Sequence, residues 1–215
     1  AGGEFDQFQQ SLAQLLEQVA PATMLHAGIC EAYHHGLGHI SNVSGVKILA
    51  RSKDAPDATK THGEVVVLAT NATNFLKFPE LAEEVFGPAS IMVAAENEAE
   101  LQTIARRLDG QLTATVHGTA ADLAAAQPLL SILERKAGRL IINGFPTGVE
   151  VCPSMNHGGP YPAATDVRFT SVGTAALERF IRPICYQDFP AAQLPDALKD
   201  ENPLGIRRLV DGEME

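Results

Sequence analysis

The residues best suited to chemistry begin with a short turn, LAEEVFGPAS, at positions 81–90. In it Glu84 and Phe86 stand directly before Gly87 and Pro88, which stop any helix. A carboxylate accepts hydrogen bonds from neighbouring hydroxyls, and an aromatic ring offers a flat apolar wall. The pair is therefore either the edge of a ligand site or an exposed acid beside a core phenylalanine. The pattern alone leaves both interpretations open.

Two pairs of side chains spaced four residues apart lie in a segment predicted to be helical, so the members of each pair share a face. Cys30 and His34 have the residue types of a thiol nucleophile and its base, but no third residue orients them. His35 and His39 have a spacing that can hold a metal ion, but the HExxH pattern is missing. We predict a structural cysteine and no metal site.

A third candidate lies in the long loop GFPTGVEVCPSMNHGGPYPAATDVRFTSVG, which follows residue 143. Cys152 and His157 stand five residues apart there, yet no activating base accompanies them, so a role in lining a site is favoured over nucleophilic catalysis. Gly158 and Gly159 permit a close backbone approach. A phosphate site would need a helix to begin after them, which Pro160 prevents.

Alternating strand-like and helical patterns predict the elements that position these residues. Strands are expected at 46–50, 64–70, 90–96, 111–118 and 139–143, with a final candidate at 182–187. Asn97 and Thr119 should cap the helices that follow two of these strands, and Pro128 should kink the second helix. The order from 90 to 143 predicts an α/β fold with right-handed crossovers and a parallel sheet. The loop after 143 would then leave the carboxyl end of a strand, where ligands bind in such sheets.

Composition narrows the classes of partner. The net charge is −10 and no basic stripe is present, which argues against a nucleic-acid partner. The three cysteines have neither disulfide-framework nor zinc spacing, so a reducing cytoplasm fits best. No apolar run reaches membrane-spanning length. The sequence opens on Ala1 and not Met, which suggests a piece of a longer protein.

The stretch Glu84-Val85-Phe86-Gly87-Pro88 resembles the E-[IV]-F-G-P motif of the aldehyde dehydrogenase superfamily. The strand–helix–strand that follows it is also similar, and GRLIIN resembles the family's G-x-[IV]-x-[IV]-N strand. Asn156-His157-Gly158-Gly159 stands where most members have Pro-Phe-Gly-Gly. The branch of the superfamily that the chain resembles most is that of the α-ketoglutaric semialdehyde (2,5-dioxovalerate) dehydrogenases, followed by the long-chain fatty aldehyde dehydrogenases.

The resemblance implies a three-layer α/β/α catalytic domain, of which this chain is the C-terminal part. Residues 1–190 would belong to that domain, including an oligomerisation strand at 182–187, and residues 191–215 would form a tail. The cofactor implied is NAD or NADP, with Glu84 on the hydroxyls of the nicotinamide ribose and Phe86 near the nicotinamide ring. Partners would be a small aldehyde, the upstream part of the same enzyme and further copies of it.

The substrate-binding residues implied are Phe145, Cys152, Asn156 and His157. No catalytic residue is expected in this chain, because none of its cysteines has the family's G-Q-x-C surroundings. The general-base glutamate and the oxyanion-binding asparagine of the family are not found either. Three other functions stay open at this point: oxidation of long-chain fatty aldehydes, thiol chemistry by Cys152 with His157, and a non-catalytic oligomerisation or binding module.

Overall fold

The computed structural model describes residues 2–215. The helices are α1 Gly3–Leu16, α2 Ala27–Ser41, α3 Ala72–Lys77, α4 Glu98–Arg107, α5 Ala120–Ala125 and α6 Gln127–Leu133. The strands are β1 Ala22–Thr23, β2 Lys47–Arg51, β3 His62–Gly63, β4 Val66–Asn71, β5 Ala89–Ala94, β6 Gln111–Val116, β7 Ala137–Ile142, β8 Leu209–Val210 and β9 Glu213–Met214. The mixture of helices with parallel strand pairs confirms the predicted α/β class.

The first sheet has the order β2-β4-β5, in which β2 is antiparallel and β5 parallel to the central strand. The first five residues of β4 are all buried, as expected for a strand covered on both faces. On one side α2 supplies Tyr33, Leu37 and Ile40, which recur at helical spacing and join the main core cluster. The principal core of the described chain therefore lies between α2 and this sheet.

The second sheet consists of β6 and β7, which pair in parallel from Gln111↔Ala137 to Val116↔Ile142. The order of elements from 90 to 143 predicts a parallel sheet, and β6 and β7 pair in parallel as predicted. In the part of the chain that the structure describes, β5 and β6 form no ladder with each other. In the first sheet α3 connects the parallel strands β4 and β5, and in the second the α5–α6 pair connects β6 and β7, so each sheet contains a strand–helix–strand unit. Helix α4 lies between β5 and β6 in the chain and links the two sheets.

The predicted helix boundaries are confirmed by their hydrogen bonds. The Asn97 side chain accepts from the Glu100 backbone amide at 3.0 Å at the start of α4. Thr119 and Asp122 form a reciprocal capping box at the start of α5. The predicted kink at Pro128 is a break at Ala126, because proline favours the first turn of a new helix over an interior position.

Contacts within the chain divide it into a unit that ends at Ala176 and a second unit, Leu177–Glu215. The second unit ends in an antiparallel hairpin, β8–β9, closed by backbone hydrogen bonds between Arg208 and Glu215 in both directions. The predicted strand at 182–187 is absent: these residues are exposed and form no ladder among the described residues. Pro183 lacks an amide donor, and a strand needs a neighbour to pair with. No helix between residues 2 and 215 is long and apolar enough to span a membrane.

Candidate functional site

The turn between α3 and β5 is anchored to the core by two side chains, and the residues between and after them are exposed. A 3₁₀ turn, Pro79–Ala82, places Leu81 in the core with 2% of its surface exposed. Val85 also points inward and packs against the core cluster. It faces Gly36 of α2, where an added methyl group would lie 3.4 Å from the Val85 side chain. Between and beyond these two anchors, Glu84 is exposed and Phe86 keeps 66% of its surface exposed. The interpretation of Phe86 as a core phenylalanine is therefore wrong.

Gly87 fixes the height of this turn above the core. A Cβ atom there would lie 2.3 Å from the ring of Tyr33, so only glycine permits the approach. Tyr33 is itself fully buried and donates a hydrogen bond to the Glu64 carbonyl at 2.6 Å. Burial raises the pKa of Tyr33 to about 12, the nearby Glu64 charge adds to the rise, and Arg51 opposes it. The tyrosine thus stays protonated and braces the turn at neutral pH.

Glu84 and Phe86 line one edge of a groove of about 490 Å³. Its floor is apolar and belongs to α2, β4 and β5, whereas its rim carries the carboxylates of Glu83 and Glu84. Such a site suits a ligand with neighbouring hydroxyls at one end and a flat, weakly polar ring at the other. The nicotinamide-ribose end of a dinucleotide has this chemistry, so the residues present fit the cofactor that sequence analysis predicted.

The long loop begins at the carboxyl ends of β6 and β7. Asn143 adopts a left-handed conformation with φ of 51°. Its side-chain amide donates to the Gly118 carbonyl at 2.9 Å, and its side-chain oxygen accepts from the Gly118 backbone amide at 2.8 Å. Two residues on, Phe145 is 78% exposed and its ring centroid lies 5.4 Å from that of His117. Phe145 therefore occupies the strand end where the site loop was expected.

The rest of the loop runs back along β7 toward the amino ends of the strands. Arg139 donates to the Gly148 carbonyl at 3.2 Å, and the Asn156 amide donates to the Gly138 carbonyl at 3.1 Å. Farther on, the Gly110 amide donates to the Tyr161 carbonyl at 3.2 Å, just before β6 begins. The loop thus leaves the carboxyl end of β7, as predicted, and then returns along the sheet edge, where Gly158 and Gly159 come into close backbone contact with β7 and β6.

His157 sits at the most tightly held point of this loop. Its backbone amide donates to Thr170 Oγ1 at 2.8 Å, and its carbonyl accepts from the Ser171 amide at 3.0 Å and the Ser171 hydroxyl at 2.7 Å. Its ring nitrogen Nδ1 is buried and has no hydrogen-bond partner within residues 2–215. The backbone is thus fixed while the imidazole is unsatisfied.

The cysteine pairs form no reaction centre in the described chain. Cys152 Sγ lies 3.5 Å from Ser154 Oγ, and no hydrogen bond joins it to His157. Cys30 and His34 both point at the His62 carbonyl, at 3.5 Å and 3.1 Å, so the buried thiol serves the structure. No cluster of three metal-ligating side chains occurs between residues 2 and 215.

The structure thus brings Glu84 and Phe86 to one groove and distributes the four predicted substrate residues along one loop. Sequence reasoning missed Tyr33, whose only signal was its place on the apolar face of α2. It also missed the Asn143 clasp, although an Asn-Gly pair after a strand is a turn signal.

Comparison with known proteins gives the chain close relatives. It is 44% identical over 214 residues to alpha-ketoglutaric semialdehyde dehydrogenase 2 of Azospirillum brasilense, covering 100% of this chain and 40% of that protein. It is 46% identical over 208 residues to the alpha-ketoglutaric semialdehyde dehydrogenase of Acinetobacter baylyi, covering 97% of this chain and 39% of that protein. The chain therefore spans about two fifths of the length of these relatives. No model of a protein family matches the sequence.

Solved structures of more distant proteins share the fold. A betaine aldehyde dehydrogenase from Staphylococcus aureus matches with a TM-score of 0.62 and 19% identity, over 86% of this chain and 38% of that one. The Delta-pyrroline-5-carboxylate dehydrogenase from Mycobacterium tuberculosis matches with a TM-score of 0.61 and 13% identity, over 90% and 38% respectively. Both the sequence relatives and the fold agree with the predicted resemblance. The chain is thus similar to aldehyde dehydrogenases along 97–100% of its length and corresponds to a C-terminal portion of such an enzyme.

Proposed function

We propose that this chain is the part of an NAD(P)-dependent aldehyde dehydrogenase that holds the nicotinamide end of the cofactor and lines the path of the aldehyde. The substrate proposed is 2,5-dioxopentanoate or a similar aldehyde, which the enzyme converts to the carboxylate. The observation that carries the proposal is the exposed edge formed by Glu84 and Phe86 in a chain 44% and 46% identical to two alpha-ketoglutaric semialdehyde dehydrogenases.

The roles of the two groove residues follow from their chemistry. When bound, NAD(P) accepts a hydride from the aldehyde carbon. Glu84 would accept hydrogen bonds from the ribose hydroxyls with its two carboxylate oxygens. Phe86 would present its ring as an apolar wall to the nicotinamide and exclude water from that side. Tyr33 and Gly87 set the height at which both side chains project.

The remaining chemistry is assigned to parts of the enzyme that this chain does not contain. A G-Q-x-C nucleophile, a general-base glutamate and an oxyanion-binding asparagine would come from those parts. Phe145, Cys152, Asn156 and His157 are proposed as substrate-lining residues. Among them Asn156 already uses its amide to hold the loop to β7, which leaves its side-chain oxygen for a ligand.

The enzyme proposed is a cytoplasmic homo-oligomer. We place residues 182–187 at a contact between copies in a homo-oligomer, since an extended exposed segment without a ladder can pair with another chain. We also propose that residues 1–190 form the catalytic-domain portion and that residues 191–215 form a C-terminal tail. A cytoplasmic enzyme without nucleic-acid or membrane partners is the proposed setting.

The test is the turnover of the full-length enzyme that contains this chain, with NAD and with NADP. Formation of reduced cofactor would be followed with 2,5-dioxopentanoate and, for comparison, dodecanal. We expect a higher kcat/KM with 2,5-dioxopentanoate. A preference for dodecanal would move the assignment to the long-chain fatty aldehyde dehydrogenases. Absence of cofactor reduction with every aldehyde would leave the non-catalytic module as the better description.

A further inference from the structure

Strand β5 has a free edge at a point where the surrounding helices form a continuous layer. It pairs with β4 on one side, and within residues 2–215 no strand pairs with its other side. Helix α4, which follows β5, contacts both α3 of the first strand–helix–strand unit and α6 of the second. The helices thus join the two units, whereas no ladder joins their strands.

The side chains of β5 alternate between two faces that are both covered by helices. On one face, Ile91 and Val93 pack against the core cluster that also contains Ile104 of α4. On the opposite face, Met92 Sδ accepts a hydrogen bond from the side-chain amide of Gln9 in α1 at 3.3 Å. Cover on both faces is typical of a strand in the interior of an α/β sheet. The unpaired edge of β5 is therefore the exceptional feature of this strand.

This edge lacks the features that natural proteins use to protect an unpaired strand. The sequence of β5 is ASIMVA, which contains no charged residue and no proline. Its register with β4 is continuous from Val66↔Ala89 to Asn71↔Ala94, so no bulge turns the edge away. An apolar edge without charges, prolines or bulges favours pairing with a further strand.

A groove of about 620 Å³ at the carboxyl end of β5 indicates where that strand comes from. It is lined by Val93 and Ala94 of β5, by Leu101 of α4 and by residues 2–5 at the start of α1. Leu101 is 41% exposed although it is apolar. The two alpha-ketoglutaric semialdehyde dehydrogenases match this chain over only 40% and 39% of their own length. In the full-length enzyme, upstream polypeptide therefore leads into α1 beside this groove.

We propose that the polypeptide directly upstream of α1 in the full-length enzyme forms a β-strand that pairs in parallel with the free edge of β5. The direction follows from α1, which begins near Ala94 at the carboxyl end of β5 and brings Leu16 near Gly87 at the amino end. A strand joined to α1 by a short connection ends beside the carboxyl end of β5, so it runs in the same direction as β5. This pairing does not depend on the roles of Glu84 and Phe86.

Amide hydrogen exchange of the unmodified full-length enzyme tests the pairing. Successive amides of a strand point to alternate sides, so an edge strand hydrogen-bonds only every second amide. We expect all amides from Ser90 to Ala94 to exchange slowly, by on the order of 10³-fold or more relative to an unstructured peptide. Electron-transfer fragmentation and mass spectrometry resolve the individual amides. Rapid exchange at alternate positions would show a free edge and overturn the proposal.

Photocrosslinking identifies the polypeptide segment beside β5. Leu101→p-benzoylphenylalanine places a photoreactive ketone at the groove in the full-length enzyme. Arg106→p-benzoylphenylalanine places the same group at an exposed position of the same helix and serves as the matched control. We expect the Leu101 variant, and not the control, to form a link to a peptide upstream of α1 without any change in the mass of the polypeptide.

Two crosslinking results would overturn the proposal. A product of twice the polypeptide mass would assign the groove to a second copy of the enzyme. Links that reach only α1 and β5 would show that no further strand lies there. If the Leu101 variant fails to fold, the exchange measurement on the unmodified enzyme still decides whether the edge is paired. An enzyme that oxidises no aldehyde would refute the proposed function and leave this pairing to be judged by the same two measurements.

Discussion

Replacing Gly138 by alanine should show how closely the loop and β7 depend on each other. The added methyl group would lie 1.9 Å from the Gly158 carbonyl oxygen and 2.7 Å from its carbonyl carbon, whereas contacts below 3.0 Å are essentially never seen. Both partners are backbone, so no side chain can rotate away, and the loop must retreat by roughly 1 Å. Overpacking of this kind costs about 1–3 kcal/mol.

The retreat should also displace the functional residues that the loop carries. Asn156 hydrogen-bonds the Gly138 carbonyl, and His157 directly precedes Gly158, so both move with it. A misplacement of about 1 Å can reduce turnover by on the order of 10²-fold. In the full-length enzyme we therefore expect Gly138→Ala to lower the melting temperature by several degrees. The same change should lower kcat/KM for 2,5-dioxopentanoate by on the order of 10²-fold.

The measurements are thermal unfolding and steady-state cofactor reduction, with Gly148→Ala as the control. Gly148 lies in the same loop, but a methyl group there would meet nothing within 4 Å. If Gly138→Ala matched Gly148→Ala in both stability and turnover, the packing of the loop on β7 would be refuted.

Three further predictions concern the groove and the chain as a whole. Gly87→Ala should destabilise the protein by about 1–3 kcal/mol, because its Cβ would lie 2.3 Å from the Tyr33 ring, and an unchanged urea midpoint would contradict this. The pKa of Tyr33 is raised from 10.0 to about 12 in the folded chain, so its contribution to the free energy of unfolding is full below pH 10 and is lost as pH rises toward 12. Tyr33→Phe should therefore remove part of the loss of stability at high pH. Urea unfolding at pH 8 and pH 11 measures this, and equal pH dependence in both proteins would count against it. The 215-residue chain alone should reduce neither NAD nor NADP with 2,5-dioxopentanoate, since it lacks the G-Q-x-C nucleophile, and turnover abolished by Cys152→Ala would support a thiol enzyme instead.

Local sequence signals predicted most of the first unit, because their causes lie within a few residues. The caps at Asn97 and Thr119 depend on a side chain and an amide three positions on, which the sequence shows directly. Strand β4 could be predicted because an unbroken apolar run is typical of a strand buried on both faces. The orientation of Glu84 and Phe86 was suggested by a five-residue motif and agrees with the exposed side chains seen here.

Features that depend on distant backbone contacts could not be predicted in the same way. The path of the loop along β7 is set by Gly138, Gly158 and Gly159, and glycine in a sequence does not reveal which backbone it will approach. The missing ladder between β5 and β6 depends on tertiary placement and not on strand propensity. The segment 182–187 has the alternation of a strand, but pairing needs a neighbour that the pattern cannot supply.

The central claim is that Glu84 holds the nicotinamide end of the cofactor. The most direct test is single-turnover reduction of NAD(P) by the full-length enzyme and its Glu84→Gln variant, beside the dissociation constant of the cofactor in each. Glutamine keeps the shape and one acceptor oxygen, so we expect cofactor affinity to change little and the hydride-transfer rate to fall by on the order of 10²-fold. Equal single-turnover rates in the two enzymes would remove Glu84 from the site and contradict the account.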